Sequence, residues 1–327
     1  MSERRIVFTA DTTAEMEDFE RDNAPLGADE IVGKTLYTLV SPGTELNMYD
    51  GSYNRAGIAF GSFPCNPGYA ASFEVEEVGS DVKDVKPGDA AFCMGLHSTC
   101  QRYPREQVIP LPEGLDPVKG PFARLMNVTM STLTTTIARP PATIVVTGLG
   151  PIGLLGAMMF QRCGYNVVAC DPIEARQETA RAKELTDVRA AVPTDAGIKV
   201  PLVLECSGHE QAVLDGLDVL EARGELVLVG VPMNRKTDIY AQPVLNKVFR
   251  NRVVIRTGSE WEVPKQPTAY RQNSNFGNMA GALKWLADGS ISVDDLYMVM
   301  KPDDPQAIYQ DVLNKRTEKM FVILDWS

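Results

Sequence analysis

The hydrophobic positions of this chain change their period once. Up to about residue 115, apolar residues come in short runs that stop at Gly/Pro pairs. Residues 5–9, 30–40 and 71–79 read as strands, the last with alternation at period two. Residues 85–93 read as turn then strand, and 107–115 close the set. Pro42-Gly43 and Pro67-Gly68 mark turns; the first opens a short helix towards Tyr49. Residues 50–64, rich in Gly, Ser and Asn, read as a loop, and the acidic stretch 11–29 shows no clear period. The pattern predicts a mostly β, antiparallel, barrel-like unit.

From Pro121 the runs lengthen. Residues 123–137 read as a helix bridging two domains. Strands at 143–147, 166–170, 202–206 and 225–230 then alternate with helices at 152–163, 174–185 and 209–222. This spacing predicts a doubly wound parallel sheet of Rossmann type. Residues 253–256 read as its last strand and 260–276 as a crossing loop. A helix at 277–288 and a helix and strand within 304–326 finish the chain.

At the first of the parallel strands, the run 142–147 leads into Gly148-Leu-Gly150-Pro-Ile-Gly153. This G-x-G-x-x-G spacing at a strand-to-helix turn suits a dinucleotide. The first glycine permits the turn, the second lets a pyrophosphate approach, and the third lets helix and strand pack closely. Pro151 stands where a missing N–H costs nothing. Asp171 ends the next strand, 23 residues after Gly148, where a carboxylate meets ribose hydroxyls and repels a 2′-phosphate. NAD(H) is therefore expected over NADP(H). Gly148, Gly150, Pro151, Ile152 and Gly153 are expected to hold the cofactor with Asp171. The strand ending in Glu205-Cys206-Ser207-Gly208 is expected to face it as well.

Composition narrows the class. The chain has 327 residues, 44% hydrophobic and 23% charged, which suits two globular domains. A net charge of −11 with no basic run argues against nucleic acid or an anionic membrane as partner. The uncharged stretch 140–161 is broken by glycines and prolines, which argues against a membrane span. The first residues do not read as a signal peptide. Six cysteines without a C-x-x-C pair suit a reduced, cytoplasmic protein, and no zinc-type ligand spacing is visible.

Several marks recur in a familiar order: Gly43-Thr-Glu, Pro67-Gly-Tyr, Val78-Gly, Lys86-Pro-Gly-Asp, Pro110-Leu-Pro-Glu-Gly, the glycine turn, Glu205-Cys-Ser-Gly and Phe321-Val-Ile-Leu-Asp. In that order they resemble the medium-chain dehydrogenase/reductase superfamily over nearly the whole chain. The resemblance implies a GroES-like catalytic domain (1–128), a Rossmann NAD-binding domain (129–260) and a return to the catalytic domain (261–327). It also implies a homodimer paired through the last Rossmann strand.

The departures are informative. Zinc members of the superfamily carry a cysteine at the position of Pro42, Gly-His-Glu at Gly68-Tyr69-Ala70, and a cysteine at Asn127. Proline, alanine and tyrosine there supply neither thiolate nor imidazole. The four-cysteine structural lobe is missing too. The chain thus resembles the zinc-independent branch, alcohol or polyol dehydrogenase-like and including the bacteriochlorophyllide dehydrogenase group, with no catalytic zinc expected.

Without a metal, side chains must handle the proton while the nicotinamide handles the hydride. By resemblance, Thr44 is at a proton-relay position, and Tyr69 replaces a ligand with a phenol. Asn127 is expected to donate its amide to an oxyanion-like oxygen, and Ser131, one turn on, to touch the nicotinamide. His97 reads as a solvated loop histidine, and Arg176 as a helix-surface residue. The expected activity is hydride transfer between NAD(H) and a hydroxyl or ketone of a small molecule. Alternatives are NAD(P)H-dependent reduction of an activated C=C bond and a catalytically silent NAD(H)-binding sensor.

Overall fold

In the computed structural model, which describes residues 2–327, the chain begins with a hairpin. Strands β1 (Ser2–Ala10) and β2 (Thr13–Glu20) pair antiparallel. The acidic stretch is thus partly a strand. Only Ala14 in β2 is fully buried, so no period of two could show in its sequence. Strand β3 (Glu30–Val40) follows, then helices α1 (Thr44–Tyr49) and α2 (Ser52–Arg55). The second helix lies within the stretch expected to be a loop.

β3 is the spine of a seven-stranded sheet. It pairs antiparallel with β4 (Ala71–Val78) and with β6 (Cys100–Pro104). β4 pairs with β5 (Ala90–Cys93), which pairs with β7 (Val108–Pro110). Ile31, Phe73, Val75, Ala91 and Val108 form a buried cluster on these strands.

Helix α3 (Phe122–Thr135) carries the chain onward, and the boundary between two compact units falls inside it, after Arg124. The second unit, Leu125–Asn278, is built on six parallel strands. In chain order its elements are β8 (Thr143–Thr147), α4 (Pro151–Arg162), β9 (Asn166–Cys170), α5 (Glu174–Ala182), β10 (Asp187–Arg189), β11 (Val200–Glu205), α6 (Glu210–Val219), β12 (Leu220–Leu228), α7 (Ala241–Asn251) and β13 (Val254–Thr257). The sheet order is β10-β9-β8-β11-β12-β13, all parallel. Strand order reverses at β8 and β11, which is where such sheets bind ligands at their carboxyl ends. Ile144, Val145, Val146, Val203 and Leu204 are fully buried, which explains continuous apolar runs in place of alternation.

Two elements of this unit are absent from the expected set. β10 is three residues long. α7 has no fully buried residue and turns Leu245 and Phe249 outward.

Helix α8 (Asn275–Ala287) leads from Asn278 back into the first unit at Met279. β14 (Tyr297–Met300), α9 (Pro305–Leu313) and β15 (Phe321–Asp325) follow. β15 pairs antiparallel with β3, but β14 pairs parallel with β15. The sheet is mixed and not purely antiparallel, because the α9 crossover returns the chain in the same direction. The expected boundary at residue 261 also moves. Residues 261–278 lie in the second unit, where Glu262 pairs with Arg256 at 3.2 Å and Asn275 N–H donates to Pro264 O at 2.9 Å. Among the described residues, no helix is long and apolar enough to cross a membrane.

Candidate active site

In the first unit, two turns meet. One, Ser41–Glu45, leaves β3; the other, Pro67–Tyr69, enters β4. The Tyr69 phenol donates to Ser41 Oγ and lies 3.4 Å from Thr44 Oγ1. The Arg124 guanidinium stands over the Tyr69 ring, 4.6 Å from its centroid. Removal from water pushes the Tyr69 phenol up; the Arg124 charge opposes this and the Glu45 carboxylate adds to it. Tyr69 is half-buried and Ser41 is buried. Sequence reasoning brought in Tyr69 and Thr44, which the fold brings together, and missed Ser41 and Arg124.

Beneath these turns is a fully buried polar network. His97 Nε2 lies 2.9 Å from Glu45 Oε2, and its Nδ1 lies 2.7 Å from Thr38 Oγ1. The Tyr309 hydroxyl donates to Glu45 Oε2 at 2.5 Å, and Ser41 N–H donates to Glu45 Oε1 at 3.0 Å. Trp326 Nε1 donates to Thr38 Oγ1, which leaves the Thr38 proton for His97 Nδ1. The network therefore assigns the Nε2–H tautomer. His97 has no exposed surface, so the expectation of a solvated loop residue is overturned. Its ring partners come from β3 and α1, and α9 joins through the bond of Tyr309 to Glu45, all distant in sequence.

In the second unit the glycine turn has the geometry a dinucleotide needs. Gly148 has φ +81°, and a Cβ there would lie 2.8 Å from Ser207. A Cβ on Gly153 would lie 1.8 Å from Gly148 O. A Cβ on Gly150 would meet only the Arg176 side chain, at 3.8 Å or more. The first and third glycines are thus required by packing, whereas the second keeps open the approach to the start of α4. Gly150 caps that helix with no side-chain bond, and Pro151 is in its first turn, so its leading N–H groups can meet an anion. Ile152 is half-buried in the same turn.

Asp171 departs from the free carboxylate expected. It is 2% exposed. Its Oδ2 accepts from Leu149 N–H at 2.7 Å and its Oδ1 from Ile173 N–H at 2.9 Å. Arg176 reaches back from α5 to pair with it at 3.2 Å, so Arg176 is more than a surface residue. Glu205 is likewise buried and organises its own turn: its carboxylate accepts from Ser207 N–H, Ser207 Oγ–H and Gly208 N–H. Burial and the Glu205 charge push the Cys206 thiol up. The glycine after Ser207 was the signal that a carboxylate opening this turn would cap it.

Two of the expected site residues lie on α3. The Asn127 amide donates one of its two N–H groups to Asn275 Oδ1 at 2.7 Å, inside the second unit, and its Oδ1 is buried without a partner. Ser131 is 2% exposed and its hydroxyl donates to Asn127 O at 3.0 Å, the usual fate of a mid-helix serine. Among the described residues, no group of three or more His, Cys, Asp or Glu side chains gathers as a metal site requires.

Residues 126–272 match the sequence family of the glucose dehydrogenase C-terminus. A sorbitol dehydrogenase of Halalkalibacterium halodurans is 24% identical over 289 residues, spanning 75% of this chain and 80% of that protein. These matches support a resemblance to the medium-chain dehydrogenases/reductases. Two solved structures share its fold. A zinc-binding dehydrogenase from Sinorhizobium meliloti bound to NADP has a TM-score of 0.78 at 17% identity, covering 99% of both chains. An acetophenone reductase from Geotrichum candidum in complex with NAD has a TM-score of 0.78 at 15% identity, covering 99% of this chain and 97% of that one. The glycine turn lies in the second unit of this chain and the Tyr69 cluster in the first.

Proposed function

We propose that this chain is a zinc-independent medium-chain dehydrogenase/reductase. It moves a hydride between NAD(H) and a hydroxyl or ketone of a small, alcohol- or polyol-type substrate. One observation carries the reading. At a position where zinc members hold a metal ligand, a phenol bonds to Ser41 beside Thr44 and under Arg124. The other two ligand positions, Pro42 and Asn127, supply no thiolate, and the Asn127 amide donates to Asn275. This donor set does not fit zinc.

Gly148, Gly150, Pro151 and Ile152 hold the dinucleotide pyrophosphate, with Gly153 and Ser207 shaping the turn and Asp171 beside the ribose. Bound there, the nicotinamide supplies or accepts the hydride. The chain handles the proton. In alcohol oxidation the Tyr69 oxygen accepts the substrate hydroxyl proton as its own O–H proton passes to Ser41 Oγ and the Ser41 hydroxyl proton moves on to solvent, so the phenol is neutral before and after. In the reverse direction the phenol gives a proton to the carbonyl oxygen as the alcohol forms. Arg124 over the ring favours negative charge on that oxygen. Asp171 sets a preference for NAD(H) over NADP(H), and its pairing with Arg176 moderates it.

The test offers NAD⁺ and NADP⁺ with a panel of secondary alcohols and polyols, sorbitol included, and identifies products. Alcohol-to-carbonyl turnover, undiminished by chelators and without stoichiometric zinc on elemental analysis, is expected. Turnover that only saturates a C=C bond, or tight NADH binding with no turnover, overturns the reading.

The chain also pairs as a homodimer. β13 is an edge strand of the parallel sheet, and beside it in sequence α7 presents Leu245 and Phe249 at 65% and 85% exposure. An open edge with adjacent apolar side chains is a surface that a second copy covers.

A further inference from the structure

His97 is tied to both turns that form the Tyr69 cluster. Its backbone N–H donates to Pro67 O at 3.0 Å, two residues before Tyr69. Gly68 sits against it so closely that a Cβ there would lie 2.4 Å from His97 N, and Gly68 has φ +98°, a conformation glycine favours. Its ring bonds Glu45, whose other oxygen holds Ser41 N–H. One residue thus fixes the backbone that presents the phenol and, through one carboxylate, the backbone that presents the phenol's hydroxyl partner.

The network is closed on the side away from the phenol. Tyr309 takes up the remaining capacity of Glu45 Oε2 and packs edge-on to Phe8 with centroids 4.7 Å apart. Thr38 and Trp326 hold His97 Nδ1. Every named polar atom has a partner, and the side chains of His97 and Glu45 are fully buried. Fully satisfied buried networks are rigid and tolerate little rearrangement. None of these residues bonds the phenol oxygen itself; among the described residues, that oxygen bonds Ser41 and Thr44.

We propose that His97, with Glu45 and Tyr309, is the positioning centre of this site: it clamps the Ser41–Glu45 and Pro67–Tyr69 turns so that the Tyr69 phenol and the Ser41 hydroxyl stay in hydrogen-bond register. The inference rests on the reading of Tyr69 as the proton-handling group. It assigns His97 no proton transfer.

The test uses the full chain labelled with fluorotyrosine and ¹⁹F NMR, with the Tyr69 signal assigned by its loss in Tyr69→Phe. His97→Gln breaks the clamp directly. Tyr309→Phe keeps the ring and removes one bond to Glu45, so it serves if His97→Gln does not fold. Either variant is expected to shift or broaden the Tyr69 signal and leave that of Tyr240, in the second unit, unmoved. A Tyr69 signal unchanged in the folded variants overturns the proposal. Kinetics on the substrate from the product screen give a second reading. Tyr309→Phe is expected to lower kcat about tenfold, the scale of one hydrogen bond, with KM for NAD⁺ unchanged. That loss should vanish in a Tyr69→Phe background; multiplicative losses overturn the clamp while sparing the catalytic role of Tyr69. A Tyr69→Phe enzyme of undiminished kcat overturns that role, whatever the NMR result.

Discussion

Arg176 Nη1 lies 3.2 Å from Asp171 Oδ2, and the same oxygen accepts the Leu149 N–H of the glycine turn. The acidic residue proposed to discriminate between nicotinamide cofactors is therefore partly neutralised by a cation five positions on. Asp171→Asn removes the charge and keeps one of the two oxygens that accept from Leu149 and Ile173 N–H, replacing the other with an NH2 donor. It should reduce the NAD⁺ over NADP⁺ ratio of kcat/KM by about tenfold or more, the scale of one charge-assisted contact. Arg176→Ala should move the ratio the other way. Steady-state kinetics with both cofactors check the pair, and a ratio indifferent to both substitutions removes Asp171 from cofactor selection.

The three glycines of the turn should fail in different ways. Gly150→Val places a side chain in open space, so the melting temperature should hold while NADH affinity falls, read by fluorescence titration. Gly153→Ala drives a methyl group against Gly148 O, 1.8 Å from the added carbon. Its stability loss should be at least the ~1–3 kcal/mol of ordinary overpacking, read by urea denaturation. Equal stability for both variants would contradict the packing described.

Tyr69→Phe keeps the ring under Arg124 and removes the proton. A loss of ~10²–10⁴ in kcat is expected if the phenol is the general acid and base, with KM for the cofactor nearly unchanged. A variant retaining most of its kcat assigns Tyr69 to packing.

Stability should fall in alkali. Burial pushes the Cys93, Cys170 and Cys206 thiols up, Cys170 to about 12. It does the same to the Tyr69, Tyr103 and Tyr309 phenols. Ordinary values are 9.0 for the thiol and 10.0 for the phenol. Above them the unfolded chain has released protons that the folded chain retains, so the unfolded state binds fewer protons and stability declines as pH rises. The contribution is complete below pH ~9 and is lost as pH climbs towards the folded values. Urea midpoints under reducing conditions, measured from pH 7 to 11, should be level at first and then fall.

The dimer has a direct check. Phe249→Glu on the outer face of α7 should shift the light-scattering mass from two chains towards one without lowering helix content, because Phe249 is 85% exposed in the single chain. A wild-type protein that is monomeric at micromolar concentration would rule the pairing out.

The amino-acid sequence by itself determined the parallel sheet, the glycine turn and the pairing of Thr44 with Tyr69 as candidates. Each is local: a β-branched run buried on both faces, glycines at fixed offsets, turns marked by Pro-Gly. It left β2 and β10 unread, because short or mostly exposed elements bury too few residues to impose a period, and it passed over α7 although Val244, Leu245, Val248 and Phe249 recur there at helical spacing. Only the tertiary structure decided the fate of individual polar groups. His97 became the centre of a buried network because its ring partners, Thr38 and Glu45, lie 59 and 52 positions away in sequence, and Tyr309 joins through Glu45, 264 positions on. Asn127 gained a bond to Asn275, 148 positions on, and Asp171 gained a cation. Hydrogen bonds between distant segments depend on how the strands are ordered and crossed. No spacing along the chain encodes that order.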